Sequence, residues 1–336
     1  MPRLRHVSPA APGWHRHRAG RGFRYTDTNG ASLPSEEVAR IRALAIPPAW
    51  TDVWICPYPN GHLQATGVDA RGRRQYLYHP DWRTRRDRAK FDRILAAAAG
   101  FPEARQQARL DLLPSGMPRT RATALAFRLL DLGYFRIGND FYANANGSFG
   151  LTTLERRHVH RHGDELLFTF VGKSGVQHRI TISDADVVSA LEVMRRRRDG
   201  GQRLLAYRDS GGWHELKSEH VNTYLAELFR GDITAKDFRT WHATVLAAES
   251  LALEAPARTT TARRRAIRRA VVTVSDYLGN TPTMAKKAYI DPRVLDAYEA
   301  GATIAEATQA EYPSADARQE ALEAAVRELL SDSPGS

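Results

Sequence analysis

A single cysteine, Cys56, stands in a chain of 336 residues. That excludes an internal disulfide and fits a reducing compartment. Long apolar runs are missing as well: none approaches the roughly 20 residues needed to span a bilayer. The segment from Met1 to Gly22 is basic and lacks the apolar stretch of a secretory signal. Acidic residues are the minority charge, 38 Asp and Glu against 49 Lys and Arg, for a net charge of +11. An excess of that size points to a polyanionic partner: DNA, RNA or an anionic membrane surface. A core is not lacking. Hydrophobic residues make up 42% of the chain, which excludes wholesale disorder. The length suits two domains or one large one.

The positive charge is clustered. Arg83, Arg85, Arg86 and Arg88 form one group and Arg195 to Arg198 a second. Arg258, Arg263, Arg264, Arg265, Arg268 and Arg269 form a third. Separated basic runs of this kind suit a surface that wraps nucleic acid, with the helices around Arg195 and Arg263 on phosphates. The last segment is acidic instead, with Glu299, Glu306, Glu311, Asp316, Glu320, Glu323 and Glu328.

The pattern divides into a small β-rich N-terminal domain, residues 1–80, and a larger mainly helical domain, residues 81–336, an α+β chain overall. Residues 1–20 read as a flexible basic arm. Strands are expected over 22–25, 53–57, 62–67 and 75–79, with a short helix over 34–44. Helices are expected over 84–99 and 102–113, and a third capped by Thr120 runs to Asp131 with Gly133 past its end. Segments 150–156, 165–171 and 176–182 read as a three-stranded antiparallel sheet. The last two are joined by the hairpin turn Gly172-Lys173-Ser174-Gly175. Helices return over 184–197, 218–229, 235–251, 261–278, 283–289 and 293–300, with an acidic tail helix over about 314–330.

Five features carry chemistry. Arg136 lies in Gly133-Tyr134-Phe135-Arg136-Ile137-Gly138-Asn139, behind two aromatics and ahead of a glycine. Lys173 sits at the hairpin tip between glycines. Lys236-Asp237-Phe238-Arg239-Thr240-Trp241 starts a helix and sets Lys236 and Arg239 at the spacing of one face. Asn280 opens a turn, after which Thr281 caps a short helix with Pro282 at its first position. Tyr289 ends that helix, behind Lys286 and Lys287. The three histidines His158, His160 and His162 alternate on one strand face, but no carboxylate or cysteine completes a metal set, so no metal is expected. His62, His79 and His242 are read as structural, or as hydrogen-bonded near DNA.

The order Arg, hairpin Lys, Lys-x-x-Arg, Asn, Tyr resembles the type IB DNA topoisomerases, the small poxvirus and bacterial enzymes in particular. The matching segments are Tyr134-Phe135-Arg136-Ile137-Gly138, Phe170-Val171-Gly172-Lys173, Lys236-Asp237-Phe238-Arg239-Thr240 and Ala288-Tyr289. Gly72-Arg73-Arg74-Gln75-Tyr76 matches the stretch with which the family contacts duplex DNA. The resemblance implies a tyrosine recombinase/topoisomerase IB-like catalytic domain. It implies Tyr289 as the nucleophile that forms a 3′-phosphotyrosine. Arg136 and Arg239, with Asn280, would act on the nonbridging oxygens, and Lys173 would be the general acid for the 5′ oxygen. Arg74, Gln75, Tyr76, Lys236, Lys286 and Lys287 would contact DNA. Many members carry histidine where this chain has Asn280, which can donate to phosphate but cannot be protonated.

The chemistry needs just such groups. Phosphodiester cleavage accumulates charge on the nonbridging oxygens, where always-charged arginine forks serve. A poor alkoxide leaving group wants a proton, and covalent storage of the broken bond removes any need for ATP. No cofactor is expected. The expected enzyme is a monomer that clamps double-stranded DNA, acting in the cytoplasm at the nucleoid, with no membrane partner. In DNA-free protein Tyr289 is expected to sit away from the arginines. Two alternatives share part of the pattern. A tyrosine recombinase or integrase uses the same Arg, Lys, Arg, Tyr logic, but usually with His-x-x-Arg and a helical N-terminal domain. A non-enzymatic DNA-binding protein explains the charge and leaves the ordered set unexplained.

Overall fold

The computed structural model describes residues 3–138, 140, 143, 147–198, 201–254 and 259–331. Asn139 and Arg258 lie outside the described residues. The chain divides into two compact units, Met1–Asp92 and Arg93–Ser336.

The first unit is built on a five-stranded antiparallel sheet in the order β2-β1-β3-β4-β5. Its strands are β1 (Trp14–Ala19), β2 (Gly22–Thr26), β3 (Thr51–Ile55), β4 (Leu63–Val68) and β5 (Arg74–Tyr78). Helix α1 (Ser35–Ala43) adds Ile41 to a small core with Tyr25, Val53, Ile55 and Ala65. The expected flexible arm is corrected here. Residues 14–19 are a strand paired on both sides, with Trp14 opposite Ile55 and Arg18 opposite Phe23. Arg16 donates to the carbonyls of Ile46, Pro47 and Trp50, at 3.2, 3.0 and 2.7 Å. Of the arginines and histidines that suggested a solvated tail, His15, His17 and Arg18 are exposed on this strand and Arg16 is half-buried.

Helix α2 (Pro80–Ala98) carries Arg83, Arg85, Arg86 and Arg88 on exposed positions, and the boundary between the units falls within it.

The second unit is organised around two helices buried along most of their length. Helix α4 (Arg119–Gly133), which follows α3 (Phe101–Leu112), buries Ala122 through Asp131 without a break. After it come the antiparallel sheet β6-β7-β8 (Val159–His162, Glu165–Val171, Gln177–Ile182), α5 (Ala185–Arg196), a small hairpin β9–β10 (Ala206–Asp209, Gly212–Glu215) and α6 (Ser218–Phe229). The second buried helix is α7 (Ala235–Ala252), which hides Phe238, Trp241, Val245, Ala248 and Leu251. A helix buried nearly all round lies in the middle of a domain, so whatever these two carry is held rigidly. Around them lie α8 (Thr260–Leu278), α9 (Pro282–Ala288), α10 (Pro292–Ala300), α11 (Ala305–Gln309) and α12 (Ala315–Ser331).

Several local expectations need correction. Thr120 caps nothing: α4 starts after Pro118, whose extended backbone turns the chain, and Thr120 lies inside the first turn with its carbonyl bonded to Thr123 Oγ1 at 2.9 Å. Gly133 is the last helical residue rather than the one beyond, and Tyr134 makes the left-handed exit with φ 54° and ψ 29°. Gly133 is needed for closeness, since an added Cβ would lie 2.2 Å from the Phe135 ring. Residues 150–156 are not a strand. Two short 3₁₀ turns, Leu151–Thr153 and Arg156–His158, precede β6. Backbone amides of the first turn are bonded to the segment that follows α4. His158 lies in the second turn, its ring 4.4 Å from Phe149 and its Nδ1 accepting from the Glu155 amide at 3.0 Å, so the three histidines do not share one strand face.

The acidic tail helix is an integral part of the core. Arg105, buried on α3, donates to both oxygens of Asp131 on α4 at 2.8 and 2.9 Å, and to both oxygens of Glu323 on α12 at 2.8 Å. Arg128 reaches Asp131 at 3.1 Å and Asp184 at 2.6 Å. The attraction of Arg105 overcomes the burial that would raise the Asp131 carboxyl, and holds it far below the usual range. His242 completes this buried group, its Nε2 3.3 Å from Asp131, in keeping with a structural reading. Asp131, His242 and Glu323 are close enough to share a cation, but Arg105 already takes both carboxylates.

Candidate active site

Arg136 leaves the end of α4 on a short segment that the first 3₁₀ turn grips. Leu151 N–H donates to the Arg136 carbonyl at 2.7 Å and Thr152 N–H to the Ile137 carbonyl at 2.8 Å. Gly150 lies so close that an added Cβ would meet Gly138 at 2.6 Å. This packing is why residues 150–153 do not form a strand. The half-buried Arg136 guanidinium is aimed at the turn after α8, donating through Nη2 to the Gly279 carbonyl at 3.1 Å and to Asn280 Oδ1 at 2.7 Å.

Arg239 reaches the same turn from α7. The start of that helix is fixed by Asp237, which accepts from Thr234 N at 2.9 Å and Thr234 Oγ1 at 2.8 Å and pairs with Arg93 at 2.8 Å. Arg239 is buried; its Nη2 donates to the Leu278 carbonyl at 2.8 Å and its Nη1 to the Tyr134 carbonyl. Its Nε is buried and has no partner among the described residues. Burial, and next the nearby Arg136, push its pKa down to about 10. Leu278, Gly279 and Asn280 therefore each receive an arginine hydrogen bond, and two cations are held in one small volume without a carboxylate from the described residues bonded to either. That arrangement is costly in the free protein and is what an incoming anion would relieve.

Asn280 presents the complementary half. Its side-chain oxygen is taken by Arg136, while its Nδ2 is buried without a partner among the described residues. Thr281 then accepts from Met284 N at 3.3 Å and Pro282 sits at the first position, so α9 begins as the sequence implied. Tyr289 closes α9. Its ring lies against Arg239, the guanidinium carbon 5.6 Å from the ring centroid. Its carbonyl accepts from Thr244 Oγ1 at 3.3 Å, and the neighbouring Ile290 is fully buried. The expected separation of Tyr289 from the arginines is thus corrected: α7 anchors both residues, Arg239 directly and Tyr289 through Thr244.

The remaining predicted residues are more dispersed. Lys173 stands exposed at the tip of the β7–β8 hairpin, where Ser174 takes φ 64° and Gly175 φ 77°, and it has no polar partner among the described residues. Lys236 is exposed at the start of α7, while Arg239, one turn further on, is buried. Lys286 and Lys287 project from α9 into a groove with Arg264 and Arg268. In the first unit Tyr76 is exposed, Arg74 pairs with Asp52 at 3.0 Å and Gln75 donates to Asp69 at 2.8 Å. Of the second basic cluster, Arg195 and Arg196 share Glu192, and Arg197 is buried, donating to the Met194 and Leu204 carbonyls. Three of those four arginines are therefore engaged within the protein.

Two contributors had no local signal. Thr244, one turn beyond Thr240 on α7, bonds both the Tyr289 carbonyl and the Asp291 amide. His178 on β8 lies against Gly172 and Gly279, between the lysine hairpin and the arginine turn.

Residues 79–314 match the family model described as "Eukaryotic DNA topoisomerase I, catalytic core". Residues 22–69 match the one described as "Bacterial DNA topoisomerase IB, N-terminal domain". The chain belongs to the type IB DNA topoisomerase family. A DNA topoisomerase 1B from Acanthamoeba polyphaga mimivirus is 28% identical over 296 residues, covering 85% of this chain and 88% of the relative. A DNA topoisomerase 1 from Rabbit fibroma virus (strain Kasza) is 25% identical over 287 residues, 79% and 82% of the two chains. The DNA topoisomerase 1B of Vaccinia virus (strain Copenhagen) is 28% identical over 171 residues, 48% and 54%. As a topoisomerase the chain is an isomerase whose family acts on DNA. No helix among the described residues is long and apolar enough to cross a membrane.

Proposed function

We propose that this type IB topoisomerase relaxes supercoiled duplex DNA by cutting and resealing one strand through Tyr289. The observation that carries the reading is the turn Leu278-Gly279-Asn280, on which Arg136 and Arg239 both converge while the Tyr289 ring lies against Arg239. A phosphodiester seated there exchanges backbone carbonyls for its own nonbridging oxygens as partners of the two guanidinium groups. The Asn280 amide nitrogen gives a third, neutral hydrogen bond. Tyr289 Oη attacks phosphorus and its proton passes to water. The P–O5′ bond breaks as the Lys173 ammonium gives its proton to O5′, leaving a 3′-phosphotyrosine and a free 5′ hydroxyl. Strand rotation about the intact strand releases supercoils of either sign, and the reverse path reseals the nick. The phosphotyrosine conserves the bond, so ATP has no role, and the arginines carry the electrostatics that a metal would otherwise supply.

The enzyme acts as a monomer, with residues 1–80 and 81–336 as the two halves of a clamp on double-stranded DNA, in the cytoplasm at the nucleoid. Arg74, Gln75 and Tyr76 contact the duplex from the first half, and Lys236, Lys286 and Lys287 contact phosphates near the cut.

Relaxation of a supercoiled plasmid with EDTA and without ATP tests this reading. Complete relaxation is expected. A recombinase would resolve only paired sites, and a pure DNA-binding protein would leave the supercoils in place.

A further inference from the structure

We propose that His178 is a positioning residue for proton donation by Lys173, a wedge that holds the base of the lysine hairpin in register with the arginine-binding turn. The inference rests on the reading of Lys173 as the general acid. His178 pairs with Phe170 across the β7–β8 ladder, and the two rings stack with centroids 5.1 Å apart and planes 20° apart. The other edge of the imidazole fills the space beside two glycines. A Cβ built on Gly172 would lie 2.6 Å from His178 Cδ2 and Nε2, and one built on Gly279 would lie 2.5 Å from Cε1. Gly172 directly precedes Lys173. Gly279 directly precedes Asn280 and gives its carbonyl to Arg136. One ring thus spans the element carrying the proposed acid and the turn on which the phosphate-binding arginines converge.

The ring also keeps the charge at this junction low. Burial first, then Arg136 and Arg239, hold its pKa down at about 4, so at neutral pH it is an uncharged spacer and adds no third cation. It has no hydrogen-bonded partner among the described residues, so its contribution is shape. Lys173 itself is exposed on a three-residue turn. Without a fixed hairpin base, its ammonium has no polar partner among the described residues to bring it to O5′.

The leaving atom separates this role from general stability. An alkoxide leaves badly because the corresponding oxygen acid has a pKa near that of water, about 15.7. A thiol, at about 8.5, leaves as thiolate without a proton. Single-turnover cleavage is therefore compared on an ordinary duplex and on one with sulfur at the 5′ bridging position. His178→Ala is expected to cut the ordinary duplex about 10- to 100-fold more slowly than wild type, part of the 10²–10⁴ that a placed general acid supplies. On the sulfur duplex it is expected to come within about threefold of wild type, as Lys173→Ala should, since no proton is then needed. Duplex affinity should be unchanged.

Gly172→Ala provides an independent variant that keeps the histidine and pushes its ring. It should show the same sulfur-specific recovery, and Gly172→Ala combined with His178→Ala should be no slower than His178→Ala alone. An equal deficit on both duplexes, or no deficit on the ordinary one, overturns the positioning role. Failure of wild type to form a covalent adduct with either duplex overturns the proposed function itself, and this inference with it.

Discussion

Arg136 donates to the side-chain oxygen of Asn280 at 2.7 Å, and the nitrogen of the same amide is buried without a partner among the described residues. The contact orients the amide so that its donor, not its acceptor, faces the place where the phosphate is expected. On the proposed mechanism, an asparagine held this way takes the place of a neutral imidazole donor. Asn280→Ala is expected to slow cleavage by about 10²-fold, the usual cost of one transition-state donor. Asn280→His should retain most of the rate. Asn280→Asp, with an acceptor in place of the donor, should be at least as slow as the alanine variant. Single-turnover cleavage measures all three, and full activity of Asn280→Ala would remove Asn280 from the site.

Arg239 is held as a fork, with one nitrogen on the Leu278 carbonyl and the other on that of Tyr134. A lysine has a single point of charge and cannot make both contacts while facing a phosphate. Arg239→Lys is therefore expected to lose about 10²-fold or more in cleavage rate while keeping the fold, since the positive charge is conserved. Circular dichroism alongside the rate checks this. A lysine variant as fast as wild type would mean that charge alone suffices.

These two arginines mark the limit of what the chain reveals locally. The capping threonine, proline and terminal tyrosine of α9 are read correctly because each signal lies within one turn of its effect. The convergence of residues 136, 239 and 280 is tertiary, and only the order of motifs pointed to it. The strand over residues 14–19 was hidden because basic residues fill both of its faces, even the half-buried position of Arg16, and its pairing partners lie on separate strands. Residues 150–153 looked like a strand because nothing local shows that their amides are needed by the Arg136 segment. His178 has no motif at all: it lies against two glycines distant from each other in the chain.

The depressed pKa of His178 gives a signature in stability. Above pH 6.5 the imidazole is neutral in the folded and the unfolded chain. Below that, the unfolded chain binds a proton that the folded chain refuses until about pH 4. Stability is therefore expected to fall as the pH drops through this window. His178→Gln should flatten that part of the curve. Urea midpoints at pH 7.5, 5.5 and 4.5 read the difference, and parallel curves for the two proteins would show that His178 titrates normally.

Glu323 binds the tail helix to Arg105 through two hydrogen bonds in a fully buried setting. Glu323→Ala leaves Arg105 with Asp131 alone, and breaking a buried pair costs about 3 kcal/mol. A lower urea midpoint for loss of helical signal is expected, with cleavage at low temperature retained, because Glu323 belongs to the core and makes no contact with Arg136, Arg239, Asn280 or Tyr289. An unchanged midpoint would mean that the tail docks by its apolar face alone.

The most direct measurement traps the covalent intermediate on a duplex whose cut end is too short to be resealed, and maps the labelled peptide. The label is expected on Tyr289, joined to the 3′ phosphate, with Tyr289→Phe binding the duplex as tightly as wild type and forming no adduct. A label on another residue, or an adduct formed by Tyr289→Phe, would contradict the assignment.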